Sequence, residues 1–193
     1  MGALISSFSN LMGILQGVFG GAYIFVTYFL GACAMVFAIT SYQLKNRLAI
    51  LLNQLISHIF WTAYFIFNGA FIGAVLNLIS LLRCIVFSYK DKYKWAKSYF
   101  WLAFFIVICV AISILSWAQW YDFLPILGTI GYTFSFYMTS EKRIRYICLI
   151  SLPMWLLYGI FSASYMAVIN DSISLVSIVV AIIRYHLPKK EKN

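Results

Sequence analysis

Long apolar runs separated by short polar turns make up nearly the whole chain. Seven of them come close to the length of helix that crosses a hydrocarbon layer of about 30 Å. We expect these helices at about 22–43, 48–68, 70–88, 98–118, 123–140, 145–161 and 164–186. The loops between them leave no room for a water-soluble domain, so consecutive helices must be antiparallel neighbours. The pattern predicts an all-α polytopic membrane protein with seven transmembrane helices.

Composition supports this class. Hydrophobic residues make up 64% of the chain and charged residues only 10%, with a mean hydropathy of +0.92. A soluble domain of this size could not keep that much apolar surface out of water. The net charge of +9 would suggest a nucleic-acid partner in a soluble protein. Here we expect the lipid bilayer as the partner and no nucleic acid.

The first 21 residues have a different pattern from the spans. Leu4, Phe8, Leu11, Leu15 and Val18 recur at intervals of three and four residues, and this segment carries no charge. Such a stripe is typical of an amphipathic helix at the membrane surface. The first basic residue is Lys45, so we expect no cleavable signal peptide.

The basic residues predict the orientation. In the seven-span assignment all fourteen lysines and arginines fall on one side of the membrane. Arg83, about five residues inside the third span, would reach that same side by snorkelling. Because basic loops stay in the cytoplasm, we expect the N-terminus outside and the C-terminus inside.

An internal repeat relates the two halves of the chain. In the second and third spans, Trp61 and Asn77 lie seven or eight residues on either side of the Asn68-Gly69 turn. Trp155 and Asn170 bracket the Ser162-Ala163 turn in the same way. At 1.5 Å per residue, each Trp and its Asn lie at the same depth on adjacent helices.

The repeat predicts a domain plan of three, one and three helices. Residues 1–21 would form the interfacial segment, 22–88 the first three-helix repeat, and 89–122 a cytoplasmic loop with a linker helix. Residues 123–186 would form the second repeat and 187–193 a basic cytoplasmic tail. The unmatched fourth helix inverts the second copy, so the two repeats become parallel.

Polar side chains are spaced to share helix faces at mid-membrane depth. The three sets are Gln54, His58 and Trp61; Asn77, Ser80 and Cys84; and Asn170, Ser174 and Ser177. Such groups turn away from lipid. They could hold helices together, or they could line a small hydrated cavity between the repeats. Both interpretations are open from the sequence.

These features resemble those of the SWEET and half-SWEET (MtN3-like) sugar transporter superfamily, in which a Trp and an Asn from each repeat form the pocket. Trp155-Leu156-Leu157-Tyr158-Gly159 is similar to its W-x-x-Y-G motif. More closely, the chain resembles the bacterial inner-membrane YgjV family, through the phrase from Leu124 to Ile130 and the Gly-Ala…Asn77 and Arg83 pattern. The likeness covers about residues 22–186 and implies the bacterial inner membrane.

The resemblance implies a transporter of a small polar solute, bound by Trp61, Asn77, Trp155 and Asn170 in a cavity that Gln54, Ser80 and Ser174 also line. The superfamily's Pro-Gln hinge is missing, because the matching stretches read Ser41-Tyr42-Gln43 and Met138-Thr139-Ser140.

Two ionisable residues within the spans are candidates for proton or ion coupling. Asp171 is the only acid well inside a span, and His58 is the only mid-membrane histidine. Intramembrane ionisable groups commonly serve transport. Against this role, His58 has no counterpart in the second repeat, where Leu152 stands, and Asp171 lies only about nine residues from the outer surface.

Other function classes fit less well. A vitamin-precursor permease would have the same helix plan, and a non-transporting receptor would bind a ligand without moving it. No nucleophile and base, HExxH motif or paired carboxylates suggest an enzyme, and no spacing suggests a metal or cofactor. Since both repeats are in one chain, a homo-oligomer is not required.

Overall fold

The computed structural model describes residues 2–115, 117, 119–162 and 165–186, and in these residues the chain is helical without any strand. The α-helices are α1 (Gly2–Phe19), α2 (Tyr23–Ser41), α3 (Arg47–Phe67), α4 (Phe71–Ser88), α5 (Tyr99–Leu115), α6 (Phe123–Tyr137), α7 (Glu141–Phe161) and α8 (Tyr165–His186). Helices α2 to α8 begin and end within about four residues of the seven predicted spans, so the all-α prediction is confirmed. The predicted tail, 187–193, lies outside the described residues.

The outer surface of this bundle is apolar. Large aliphatic side chains are more than half exposed along several helices, among them Val36, Val107, Ile150, Val176 and Ile183. Exposing such a surface to water is unfavourable, whereas the lipid tails of a bilayer would cover it. The chain is therefore a multi-pass membrane protein.

Four helical stretches are long and apolar enough to cross a membrane: Asn10–Ser41, Arg47–Phe67, Glu141–Phe161 and Met166–Tyr185. Two shorter apolar helices cover Gly73–Ser88 and Tyr99–Leu115. Helix α6 has 15 residues, which is about 22 Å of rise and less than a typical hydrocarbon thickness. That all seven helices cross the membrane stays a prediction.

Local chemistry explains where several helices begin and end. The Asn46 side chain accepts a hydrogen bond from the Leu48 amide at 2.9 Å and so caps the start of α3. Gly69, with φ of 73°, makes the turn into α4, a conformation that other residues seldom adopt. Helix α6 ends because Met138 is extended. Helix α7 begins at Glu141 rather than at 145, so Lys142 and Arg143 lie in its first turn, not in a loop.

Six helices form a closed ring. Helix α3 packs between α2 and α4, and α7 packs between α6 and α8. The ring closes through contacts of α4 with α6 and of α8 with α2. Helix α5 lies outside the ring against α4 and α6, and α1 contacts α2 and α3.

The two ends of the ring differ. Helices α2, α4, α6 and α8 end on the same side of the ring, and most of the lysines and arginines lie there. We call this side the basic end. The half of the bundle next to it is solidly packed around fully buried side chains such as Ile50, Phe87, Phe136, Ile144 and Ile178.

Two buried arginines cross-link the halves of the ring at the basic end. Arg47, the first residue of α3, donates from Nε to the Met138 carbonyl at 2.6 Å, just beyond α6. Its other nitrogens donate to the carbonyls of Phe87 and Phe136 and to Asp91. These contacts provide hydrogen-bond acceptors for a guanidinium that is only 5% exposed.

Arg145 of α7 makes the reciprocal link. It is fully buried, donates from Nε to the Tyr42 carbonyl at 3.0 Å, and also donates to the Leu44 carbonyl, both just past the end of α2. Each arginine therefore binds carbonyls at or just beyond the C-terminal end of a helix in the opposite half of the ring. We call Arg47, Arg145 and these carbonyls the arginine clamp.

The clamp predicts the effect of removing one arginine. Arg145→Leu should lower the free energy of unfolding by about 1.5–3 kcal/mol, the value of a hydrogen bond to a charged group, because two carbonyls lose their donor. Thermal unfolding in detergent measures this change. Arg143→Leu is the control, since Arg143 is exposed on the same helix. Equal melting temperatures for the two variants would contradict the stabilising role of the clamp.

Candidate functional site

A cavity of about 200 Å³ lies inside the ring, between the solid core at the basic end and the opposite end. A water molecule needs roughly 10–15 Å³ on the same measure, so the cavity has room for several waters or a small solute. We call it the chamber. Side chains from all of α2 to α8 line it.

The nine residues that the sequence predicts for solute binding, ion coupling or cavity lining all lie around this one chamber. They are Gln54, His58, Trp61, Asn77, Ser80, Trp155, Asn170, Asp171 and Ser174. Equal depth on antiparallel helices therefore did predict which side chains come together. Their roles in substrate binding and ion coupling stay predictions.

The first half of the ring contributes a hydrogen-bonded His–Asn pair. His58 Nδ1 and Asn77 Oδ1 lie 3.1 Å apart, and Asn77 Nδ2 donates to the Gly73 carbonyl at 3.0 Å. Asn77 is thereby held against α3 at His58, which lies one helical turn before Trp61. The Trp61 ring packs edge-on to Tyr64 and stacks on Phe65, with centroids 5.3 and 5.7 Å away.

The second half contributes an Asn–Asp pair. Asn170 Nδ2 donates to Asp171 Oδ1 at 2.9 Å, and Asp171 is only 7% exposed. The Trp155 ring packs edge-on to Tyr158, with centroids 6.2 Å apart. The two halves therefore present the same Trp and Asn types with different polar neighbours.

Helix α6 approaches Trp155 so closely that only a glycine fits at position 128. A Cβ atom on Gly128 would lie 2.5 Å from Trp155 Cδ1 and 2.6 Å from Nε1. Helix α6 therefore restricts where the indole that faces the chamber can lie.

Three buried polar atoms around the chamber have no protein partner. Among the described residues, the buried side-chain nitrogens and oxygens without a hydrogen bond are His58 Nε2, Arg83 Nε and Asn170 Oδ1. All three residues line the chamber. Since a buried polar group without a partner costs free energy, these atoms favour a polar occupant of the chamber.

The structure adds lining residues that the sequence reasoning missed, most importantly Arg83. We expected it to snorkel to the basic side, but it is only 3% exposed and lines the chamber. Its Nη1 donates to Thr133 Oγ1 at 2.7 Å, and its guanidinium carbon lies 5.2 Å from the centroid of the Phe136 ring. An arginine inside an apolar run was itself the signal that could have identified it.

Two tyrosines were also missed. The hydroxyl groups of Tyr42 and Tyr132 lie 3.3 Å apart on the chamber wall. Tyr42 follows the end of α2, where the missing hinge motif drew attention, and Tyr132 belongs to α6. Neither hydroxyl shows in a hydropathy pattern, because a tyrosine is scored with the apolar residues.

Other predicted polar positions do hold helices together. Ser177 donates to the Ile39 carbonyl at 2.8 Å and accepts from Gln43 Nε2 at 2.9 Å, so it joins α8 to α2. Cys84 is fully buried in the core and is not among the chamber residues. The polar stripes therefore contain both helix-joining residues and residues that line a cavity, and the hydration of that cavity stays a prediction.

The basic end also carries a buried lysine outside the helices. Lys90, 8% exposed, donates to the Tyr137 carbonyl at the end of α6. Burial, and then the nearby Arg47 guanidinium, lower the pKa of its amine. Lys90 therefore adds a third cation at the end of α6, beside the Phe136 and Met138 carbonyls that bind Arg47.

No cluster of three His, Cys, Asp or Glu side chains that could hold a metal occurs in the part of the chain that the structure describes. The expectation that the protein uses no metal or cofactor stays a prediction.

A multi-pass helical bundle with an internal polar chamber defines an integral membrane protein. The chain matches the model of the Imp-YgjV family, described as a bacterial inner membrane protein, over residues 25–189. It therefore belongs to this family of bacterial inner membrane proteins. No curated protein and no solved structure matched the chain.

Proposed function

We propose that this protein transports a small polar solute across the bacterial inner membrane through the chamber. The observation that carries the proposal is the location of the unpartnered atoms of His58, Arg83 and Asn170, which all belong to one chamber. A purely structural core would satisfy such groups internally. A transport chamber has to leave some of them for its solute.

The architecture supports alternating access. Helices α2 to α4 and α6 to α8 would be the two parallel repeats of a SWEET-like plan, with α5 as the inverting linker. A two-fold axis between the repeats would map the contact of α4 with α6 onto the contact of α8 with α2, and both contacts are present. One chain then supplies the whole pathway.

The arginine clamp would be the closed gate of this transporter. It joins the two proposed repeats by hydrogen bonds from charged groups to carbonyls, all at the basic end. These bonds lie where the Pro-Gln hinge of the SWEET superfamily would fall. Opening this end requires their exchange for water, since the guanidinium groups need acceptors in both states.

Transport predicts flux that depends on the chamber tryptophans. A thermal-shift screen of metabolites first identifies a solute that raises the melting temperature of the purified protein. Proteoliposomes that contain the protein should then accumulate or release this solute. Trp61→Ala and Trp155→Ala should lower that flux by about tenfold or more, because each loses a ring that packs on the solute. Trp117→Ala is the matched control, since Trp117 is 47% exposed and does not line the chamber.

Binding without flux by the wild-type protein would contradict transport and favour the receptor alternative. Wild-type flux in both chamber variants would show that the solute takes another path. The screen includes sugars, nucleosides and vitamin precursors, since the fold does not select among them.

We also propose that Asp171 couples transport to protons, with His58 as a second candidate. Asp171 is the one carboxylate among the chamber residues, and it keeps Asn170 as its hydrogen-bond partner. Asp171→Asn should abolish uptake driven by a pH gradient but preserve exchange of solute at equal pH. Unchanged gradient-driven uptake would exclude Asp171 from coupling.

We propose that the basic end faces the cytoplasm, with the N-terminus outside. The concentration of lysines and arginines at that end supports this orientation. A cysteine replacing Lys94 should react with an impermeant thiol reagent only after the cells are opened. A cysteine replacing Ser162 should react in cells whose outer membrane alone is permeabilised. The reverse result would invert the topology.

A further inference from the structure

We propose that the solute carries an anionic group, a carboxylate or a phosphate, and that Arg83 binds this group inside the chamber. The inference rests on the proposed transport function and names the class of solute. It depends on the position, burial and pairing of one guanidinium.

Arg83 is a buried cation that forms no salt bridge with any of the described residues. Among the described residues the one salt bridge joins Arg47 to Asp91, and Arg83 has no carboxylate oxygen within 4 Å. The acid of the chamber, Asp171, is hydrogen-bonded to Asn170 instead. A buried cation without a counterion is costly, and an anionic solute would supply the missing charge.

The hydrogen bonding of Arg83 leaves donors for a ligand. Thr133 Oγ1 accepts a hydrogen bond from Nη1 and donates its own to the Thr129 carbonyl at 2.7 Å. Nε is buried and has no partner, although the side chain lines the chamber. This threonine and the ring of Phe136 hold the guanidinium in place with part of its donor fork free. That fork suits planar or tetrahedral oxyanions.

The same face of α4 carries the remainder of the site. Ser80 lies one turn from Arg83 and Asn77 two turns away, and both line the chamber. Six residues of helix separate Asn77 from Arg83 by roughly 9 Å. A solute with its anionic group on Arg83 would thus place its other end beside Asn77 and Trp61.

The test compares neutral compounds with their anionic derivatives on the purified full-length protein. The probes are glucose, glucuronate, glucose 6-phosphate, acetate and inorganic phosphate, each read by thermal shift and then by titration. We expect at least one anionic probe to raise the melting temperature by several degrees at saturation, and glucose to have no such effect. A shift with carboxylates alone or with phosphates alone identifies the source of the charge.

The variants test whether Arg83 is the binding group. Arg83→Gln should weaken binding of the active anion by about tenfold to a hundredfold, because the charge and the fork are lost. Arg83→Lys keeps the charge without the fork and should bind with intermediate affinity. Arg143→Gln, which removes an exposed charge of the same sign, should bind like the wild type.

Three results would overturn the inference: no shift with any anion, equal shifts with glucose and its anionic derivatives, or unchanged affinity in both Arg83 variants. Equal shifts would leave transport intact, because neutral solutes would then occupy the chamber. Conversely, anion binding that depends on Arg83 but comes with no flux in proteoliposomes would retain the anion site and reject transport.

Discussion

A polar group inside a bilayer must find a partner in the protein, because lipid offers none. This constraint has two different outcomes in the structure. At the basic end the buried guanidinium groups of Arg47 and Arg145 are matched to carbonyl acceptors in the arginine clamp. In the chamber the matching is incomplete, and His58, Arg83 and Asn170 each keep one buried atom unpartnered. Under the proposed function, the first part of the bundle holds the helices together and the second part receives the solute.

The two arginines of the clamp occupy different positions in their helices. Arg47 is the first residue of α3, whereas Arg145 is the fifth of α7. Each still reaches the carbonyls at the end of a helix in the other half. Such carbonyls carry the negative end of the helix dipole and attract a cation strongly. Opening the basic end would therefore require the breaking of both sets of bonds together, which links the movement of one half to that of the other.

The sequence predicted the helices well, because apolar runs and basic turns directly reflect the bilayer. It also predicted which residues share the chamber, since Trp61, Asn77, Trp155 and Asn170 follow from equal helical depth. Arg83 was misjudged, because depth alone does not tell whether a long side chain extends toward water or turns inward to Thr133. The clamp could not be predicted either, since it joins residues about ninety to a hundred positions apart through backbone carbonyls that no sequence pattern marks.

The central claim is that the chamber is polar and reachable by water, and cysteine labelling tests it most directly. In a variant whose four native cysteines are replaced, Ser80→Cys would face the chamber and Leu82→Cys, at a position 49% exposed on the outer surface, would face lipid. A small, membrane-impermeant thiol reagent should modify the cysteine at position 80 and leave that at position 82 unmodified. No reaction at position 80, or equal reaction at both positions, would contradict a water-accessible chamber between the halves of the ring.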